Sequence, residues 1–243
     1  MRDIEEAFAY AIRAAGPKPP DDSPQAQKNP WVGRLSNNLA AVIAAELRAR
    51  GMDGIMPSPP GESGASGAER RLAGGIGAKK VDVTWATEES GLILGVSVKT
   101  IMYRDNQSGH FQKNLTNRRG DMLIEAVTLH RRFPYAVLVG MLFMDSGAAR
   151  DQTDRRRSTF TNAFPRFRLF TRRPDPAGRE EQYERLYLLL VDSNQFQPSV
   201  QAYEVNNQDV EVPLATVMDD ILDLVAERNV DLYEVADGSI TKL

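Results

Sequence analysis

The alternation of apolar and polar residues predicts a β-hairpin in the first half of the chain. Two extended runs, Lys80–Trp85 and Leu92–Lys99, flank the segment Glu88–Gly91, whose composition is typical of a turn. Antiparallel pairing across this turn sets Asp82 opposite Ser97. Because side chains alternate between faces along a strand, Lys99 shares a face with both.

The other face of this predicted hairpin is entirely apolar. Its members are Val81, Val83, Trp85, Leu92, Leu94, Val96 and Val98. We expect this apolar face to pack on the core and the polar face to stay open to solvent. A solvated cross-strand ion pair explains an Asp and a Lys on neighbouring strands equally simply, so this interpretation stays open.

Periodicity along the rest of the chain predicts alternating helices and strands. Helices are expected at 1–16, 34–50, 118–132, 152–164 and 213–228, and Pro165 is expected to end the fourth. Strands are expected at 135–144, 186–192 and 200–205. The fold class is therefore α/β, with a mixed central sheet flanked by helices.

The domain boundaries follow shifts in composition. Residues 1–30 read as an N-terminal helix and arm, 31–179 as the core with a basic segment, and 180–243 as an acidic extension packed on the core. Residues 57–77 are rich in Gly, Pro and Ser, which predicts either a loop that closes over a ligand or a plain surface insertion.

A carboxylate, a hydroxyl and an ammonium gathered on one face suit phosphodiester cleavage. That reaction needs a divalent cation held by oxygen ligands, an activated water and positive charge near the phosphate. The chain has no cysteine and only two histidines, which excludes thiolate zinc sites and disfavours histidine-ligated metals. A site for Mg²⁺, with Mn²⁺ as a substitute, remains.

The spacing of Asp82, Ser97 and Lys99 resembles the PD-(D/E)xK nuclease superfamily, the fold of many restriction endonucleases. The resemblance implies a restriction-endonuclease-like core of order αβββαβ over residues 34–145. It also implies that Asp82 and Ser97 bind the metal while Lys99 acts on the water. The sequence departs from the family pattern at Ser97, where the family usually has Asp or Glu, and at Val81, where it often has proline.

The carboxylate missing at Ser97 then has to come from a neighbouring helix. Asp121 and Glu125 lie one turn apart on the predicted helix 118–132, and we expect Glu125 to take a catalytic role. Glu46, on the predicted helix 34–50, is the candidate for a further metal ligand. A solvated helix face remains an alternative for each of these acids.

Charge is distributed unevenly along the chain. Residues 99–179 contain 16 basic and 7 acidic residues, whereas residues 180–243 contain 3 basic and 14 acidic ones. Arginine binds phosphate in a bidentate manner, so the basic segment favours a nucleic-acid surface, with Lys113, Asn114, Arg118 and Arg119 as the candidate contacts. Alternatively, some arginines pair with the acidic third of the chain.

The sequence thus predicts a Mg²⁺-dependent endodeoxyribonuclease of the restriction or phage-defence type. The expected partners are double-stranded DNA and either a second copy of the chain or a larger defence complex that it serves as the nuclease subunit. The expected location is cytoplasmic, with no membrane association. Two alternatives are a catalytically inactive subunit that keeps the nuclease fold for DNA or protein binding, and an interaction protein whose acidic third binds a basic partner.

Overall fold

The computed structural model describes residues 3–59, 70–73 and 78–243, of which 70–73 and 78–80 are described by their backbone. The α-helices in this part of the chain are α1 (Ile4–Ala14), α2 (Gln25–Ala49), α3 (Gln112–His130), α4 (Thr159–Phe167) and α5 (Leu214–Arg228). The strands are β1 (Arg70–Ala73), β2 (Ala78–Val81), β3 (Val83–Thr87), β4 (Gly91–Ile101), β5 (Val137–Asp145), β6 (Arg185–Asp192), β7 (Ser199–Glu204), β8 (Glu211–Val212), β9 (Tyr233–Ala236) and β10 (Ser239–Lys242).

A mixed six-stranded sheet forms the centre of the fold, in the order β3-β4-β5-β6-β7-β8. Strands β4, β5 and β6 are parallel, and the outer pairs are antiparallel. Parallel neighbours need a crossover connection, which α3 supplies between β4 and β5. The predicted α/β class with a mixed, helix-flanked sheet is confirmed.

Two hydrophobic cores lie on opposite faces of this sheet. The first buries residues of α1, α2 and α5, including Phe8, Leu39 and Ile221. The second buries residues of α3 and α4, including Met122 and Phe164. The molecule is therefore a three-layer sandwich in which side chains on alternate positions of β4 enter different helical layers.

The hairpin β3–β4 has the predicted register in its central part but not at its ends. Val83 pairs with Val96, and Trp85 pairs with Leu94, as the sequence predicts. The expected continuous first strand is wrong, because the chain bends at Asp82, between β2 and β3. Strand β2 pairs instead with β1 in a separate two-stranded sheet.

These irregularities redirect two residues of the predicted apolar face. Val81 and Leu92 belong to the second core, with α3, rather than to the first. The bend at Asp82 breaks the alternation for Val81, and a register shift between Trp85 and Ala86 breaks it for Leu92. The polar face of β4 is consequently covered by a helical layer, and the expectation that it stays open to solvent is wrong.

Several helix boundaries also differ from their sequence predictions. Helix α2 begins at Gln25 and accommodates Pro30 in its first turns, where proline removes few hydrogen bonds. Helix α3 begins at Gln112, six residues before the predicted start at 118. Helix α4 spans Thr159–Phe167 and contains Pro165, which was expected to end it.

The terminal segments are integral parts of the fold. The expected N-terminal arm contributes Phe8 and Ile12 to the first core, and both side chains are fully buried. The expected acidic extension supplies β6, which lies in the middle of the sheet between β5 and β7. Neither the boundary at residue 30 nor the one at 179 therefore separates an independent unit.

The segment 57–77, expected to be a loop next to the hairpin, lies largely outside the described residues. Its described part contains β1, which pairs with β2. Within the described ranges every helix is too short or too polar to traverse a lipid bilayer.

Candidate active site

Three side chains from different elements meet on the α3 face of the sheet, and we call Asp82, Lys99 and Glu125 the Lys99 cluster. The Nζ atom of Lys99 lies 3.0 Å from Oε2 of Glu125 and 3.6 Å from Oδ2 of Asp82. The exposed fractions of the three side chains are 20% for Asp82, 16% for Lys99 and 7% for Glu125. Water and salt therefore screen these charges much less than those of a surface pair.

Helix α3 brings Glu125 to the cluster because its buried residues follow a helical period. Met122, Ala126 and Leu129 pack on the sheet, and Glu125 lies on the same side of the helix. The close approach of α3 depends on Gly140 of β5. A Cβ atom at that position would lie only 2.5 Å from Cε of Met122.

The bend between β2 and β3 places Asp82 next to β4. Its Oδ2 atom accepts a hydrogen bond of 2.7 Å from the backbone N–H of Val98. Asp82 thus bonds to β4 through its side-chain carboxylate. The residues that follow it, in β3, pair with the same strand through their backbone. A hydrogen bond to a fixed amide orients the carboxylate toward Lys99.

Burial lowers the pKa of Lys99, but the negative charges of Glu125 and Asp82 and the hydrogen bond to Glu125 raise it by more. The net result is a raised pKa, although the positive charge of Arg118 acts in the opposite direction. Lys99 is an ammonium, which can orient a water and stabilise an anion.

Ser97 lies on the same face of β4, two residues before Lys99, and is 1% exposed. Its Oγ atom lies close to the hydroxyl of Tyr183, and their interaction lowers the pKa of Tyr183 against the larger effect of burial. The Ser97 hydroxyl therefore has a neighbour within the chain, on the turn before β6. The position of Ser97 next to Lys99 agrees with the expectation from the sequence.

Tyr183 is a neighbour of the cluster that the sequence did not reveal. Its hydroxyl donates to the carbonyl of Met122 on α3, at 3.0 Å. Burial raises the pKa of Tyr183 well above its ordinary value, and the charges of Glu125 and Asp82 raise it further. No local motif marks Tyr183, because the turn before β6 reaches α3 only in the folded chain.

The other two candidate acids lie elsewhere. Glu46 belongs to α2, on the opposite face of the sheet, and its Oε1 atom forms an ion pair of 2.8 Å with Arg50. Its expected role as a metal ligand with Asp82 is therefore wrong. Asp121 is 56% exposed and pairs with Arg118 at 3.3 Å, so Glu125 is the candidate acid that reaches Lys99.

A groove of about 480 Å³ begins one residue beyond Lys99 on β4, at Thr100. Its walls are polar side chains from α2, the loop after β4 and the start of α3. Five of them are carboxamides: Gln25, Asn29, Asn106, Gln107 and Asn114. Carboxamides offer a donor and an acceptor together, which suits recognition of base edges.

Three of the four residues expected to contact nucleic acid line this groove, namely Lys113, Asn114 and Arg118. Arg118 connects the groove to the cluster, because its Nε donates to the Thr100 carbonyl at 3.2 Å. Arg119 points elsewhere and lies 6.0 Å from the centre of the Phe170 ring.

Part of the positive charge of the basic segment is neutralised within the chain, as the alternative interpretation of the charge distribution predicts. Four arginines pair with acids of the C-terminal third, in the pairs Arg131–Glu180, Arg172–Glu204, Arg173–Glu184 and Arg179–Glu181. The groove arginine Arg118 pairs with Asp121 of its own helix instead.

The donor set of the cluster fits a hard divalent cation. Mg²⁺ is usually held by one or two carboxylates and several waters, and Asp82 and Glu125 provide two carboxylates around one ammonium. The buried Oγ of Ser97, two residues before Lys99, adds a neutral oxygen. Among the described residues no group of three or more acidic, histidine or cysteine side chains is arranged to hold a metal ion, so water would complete the ligand set.

Comparisons with known proteins add nothing to these observations. No protein-family model matches the chain, and neither a curated protein nor a solved structure is significantly similar to it.

Proposed function

We propose that the chain is a metal-dependent endonuclease that hydrolyses DNA phosphodiester bonds, of the restriction or phage-defence type. The observation that carries this proposal is the position of Lys99 Nζ, which contacts the carboxylates of both Asp82 and Glu125. This arrangement offers cation ligands and a fixed positive charge at one place. Arg118, which lines the polar groove, is close enough for its charge to act on Lys99.

The element order supports a restriction-endonuclease-like core. Helix α2 precedes the hairpin strands, α3 follows β4, and β5 returns parallel to β4, as in the later part of the order αβββαβ. The first strand of that order has no counterpart in the central sheet, because β1 and β2 pair in a separate sheet. In this proposal Asp82 and Lys99 take their family roles. Glu125, from the helix after the hairpin, replaces the acid that the family usually carries at the position of Ser97.

Each residue of the cluster then has a distinct task. Asp82 and Glu125 hold Mg²⁺ or Mn²⁺, and Ser97 supports the cation directly or through water. The bound cation would lower the pKa of a coordinated water and offset charge on the phosphate. Lys99, whose pKa is raised, orients the water and stabilises the anionic transition state as an ammonium.

The groove supports DNA as the substrate class. Its five carboxamides can hydrogen-bond to bases, and Lys113 and Arg118 can neutralise backbone phosphates. Such an enzyme would act in the cytoplasm, as a homodimer or as the nuclease subunit of a larger defence complex. Cutting both strands of a symmetric site requires two active sites.

A second candidate is a catalytically inactive subunit that binds DNA through the same groove. The observation that favours it is Ser97 itself, because a hydroxyl is a weaker cation ligand than the family's carboxylate.

A plasmid-nicking assay with Mg²⁺ or Mn²⁺ tests both candidates. We expect the wild-type protein to nick supercoiled DNA, and the Asp82→Ala and Lys99→Ala variants to lose this activity. Circular dichroism and thermal melting of each variant verify that the fold is retained. Equal cleavage by all three proteins would contradict the nuclease proposal, whereas wild-type binding without cleavage would favour the inactive subunit.

A further inference from the structure

A second polar cavity lies apart from the groove and shares no residue with it. It has a volume of about 580 Å³ and is lined by Arg172, Arg173, Pro174, Arg185, Leu224, Glu227 and Arg228. We call it the arginine pocket, because four of its seven lining residues are arginines and one is acidic. It lies where β6 begins and α5 ends.

A buried carboxylate fixes two of these arginines. Glu184 is 1% exposed, and its Oε1 atom accepts from Arg173 at 3.3 Å and from Arg228 at 3.2 Å. Its Oε2 atom accepts from the backbone N–H of Leu138 at 2.7 Å. One carboxylate thus orients two guanidinium groups and balances only one of their charges.

The other two arginines are held by different partners. Arg185 donates to the backbone carbonyl of Glu184 at 3.1 Å. Because a carbonyl carries no net charge, this bond does not neutralise the charge of Arg185. Arg172 pairs with Glu204 at 3.0 Å and has a backbone φ of 62°, a left-handed conformation that is uncommon for residues other than glycine. Its unusual backbone turns the chain at the wall of the pocket.

Two N–H donors of the lining arginines, Nε of Arg173 and Nη1 of Arg228, make no hydrogen bond to any described residue. The side chains of these arginines are only 1% and 10% exposed. Polar groups buried to this degree are nearly always satisfied. The two guanidinium groups therefore retain donor capacity beyond their bonds to Glu184.

We propose that the arginine pocket binds the phosphate group of a small ligand, either free phosphate or a phosphate monoester such as a mononucleotide. A phosphate dianion offers several acceptor oxygens and two charges, which match converging guanidinium groups better than a single carboxylate does. The volume suits a small molecule. The site does not depend on the nuclease proposal, since it shares no side chain with the Lys99 cluster or the groove.

Isothermal titration calorimetry of the full chain tests this site. Inorganic phosphate, deoxyadenosine 5′-monophosphate and deoxyadenosine are titrated separately, at constant ionic strength, above the second pKa of phosphate and without divalent cations. The test variant is Arg185→Gln, because the Arg185 side chain is only partly buried and its hydrogen bond goes to a backbone carbonyl. The matched control is Arg131→Gln, an exposed arginine that pairs with Glu180 outside the pocket.

We expect saturable binding of phosphate or the nucleotide and none of the nucleoside. Arg185→Gln should weaken binding roughly tenfold or more, since it removes a charge-assisted contact, and Arg131→Gln should leave it unchanged. Tighter binding of the nucleotide than of phosphate identifies a monoester as the ligand, and the reverse order identifies free phosphate. Absence of saturable heat at millimolar ligand, or equal weakening in both variants, would overturn the proposal.

Discussion

Lys99 and Glu125 are joined by an ion pair of 3.0 Å between Nζ and Oε2, although they are separated by 26 positions in the chain. The contact links the C-terminal part of β4 to the helix that crosses over the sheet. Because the Glu125 side chain is 7% exposed, the pair is shielded from solvent. The contact therefore depends directly on how α3 packs against β4.

Replacing Glu125 with Gln tests whether this helix supplies the second carboxylate. We expect cleavage of plasmid DNA to fall at least about 100-fold, because a neutral amide holds a divalent cation far less well than a carboxylate. The control is Asp121→Asn, one turn earlier on α3, where the side chain is 56% exposed. Its cleavage rate should stay near that of the wild type. Similar losses in both variants would contradict a specific role for Glu125.

Ser97→Ala separates a cation-binding role from a structural one. The Oγ atom lies near the Tyr183 hydroxyl, which keeps its bond to the Met122 carbonyl when Oγ is removed, so the removal should change the free energy of unfolding by about 1 kcal/mol or less. If the hydroxyl supports the cation, the Mg²⁺ concentration for half-maximal cleavage should rise roughly tenfold. Denaturant titration and a Mg²⁺ titration of the nicking rate measure the two effects. An unchanged Mg²⁺ requirement would remove Ser97 from the site.

Arg118 and Arg119 are adjacent residues with different surroundings, which makes them a matched pair for testing the groove. Arg118 lines the groove, whereas Arg119 lies near the Phe170 ring. We expect Arg118→Gln to weaken DNA binding and to reduce the slope of log K against log salt by about 1, the loss of one phosphate contact. Arg119→Gln should change the slope less. Fluorescence anisotropy at several salt concentrations measures both, and the opposite ranking would place the DNA elsewhere.

Asp151 gives the fold a dependence on acid pH. Burial raises its pKa, but the hydrogen bonds from Thr159 and from the backbone of Phe111, together with the charge of Arg156, lower it by more. The net pKa is below that of an unfolded Asp, so the ionised form stabilises the fold. This contribution is complete above about pH 4 and is lost as the pH falls through the folded-state pKa.

The Asp151→Asn variant should lack the pH-dependent contribution of the ionised carboxylate to stability. We expect it to be less stable than the wild type by about 2 kcal/mol near neutral pH, with the difference shrinking below about pH 4. Urea unfolding at a series of pH values measures the difference. A constant difference across the acid range would show that the charge of Asp151 does not contribute.

The hairpin was predictable because its signal is local. Strict alternation fixes which residues of β3 and β4 share a face, and the pairing of Val83 with Val96 follows. The bend at Asp82 was not predictable, since it depends on pairing of β2 with β1, a segment with no clear strand pattern. The same bend and the bulge near Trp85 decide which core receives Val81 and Leu92.

The expectation that Glu125 rather than Asp121 takes the catalytic role gains support from sequence once the helix is extended toward Gln112. The apolar series Leu115, Met122, Ala126 and Leu129 defines a buried stripe, and Glu125 lies next to it. The position of Tyr183 could not have been inferred, because it depends on which strand follows β5 in the sheet. The apolar run from Leu186 to Val191 did carry a signal for a central strand, which the acidic composition around it obscured.

The central position of β6 has a consequence for how the protein is made. Until residues 185–192 have emerged, β5 presents an unpaired edge, and the turn that carries Tyr183 has not reached α3. Synthesis from the N-terminus therefore completes the surroundings of Lys99 only after Tyr183 and β6 have emerged. Premature termination before that point would release a chain whose sheet ends at β5 and whose unpaired edge is prone to aggregate.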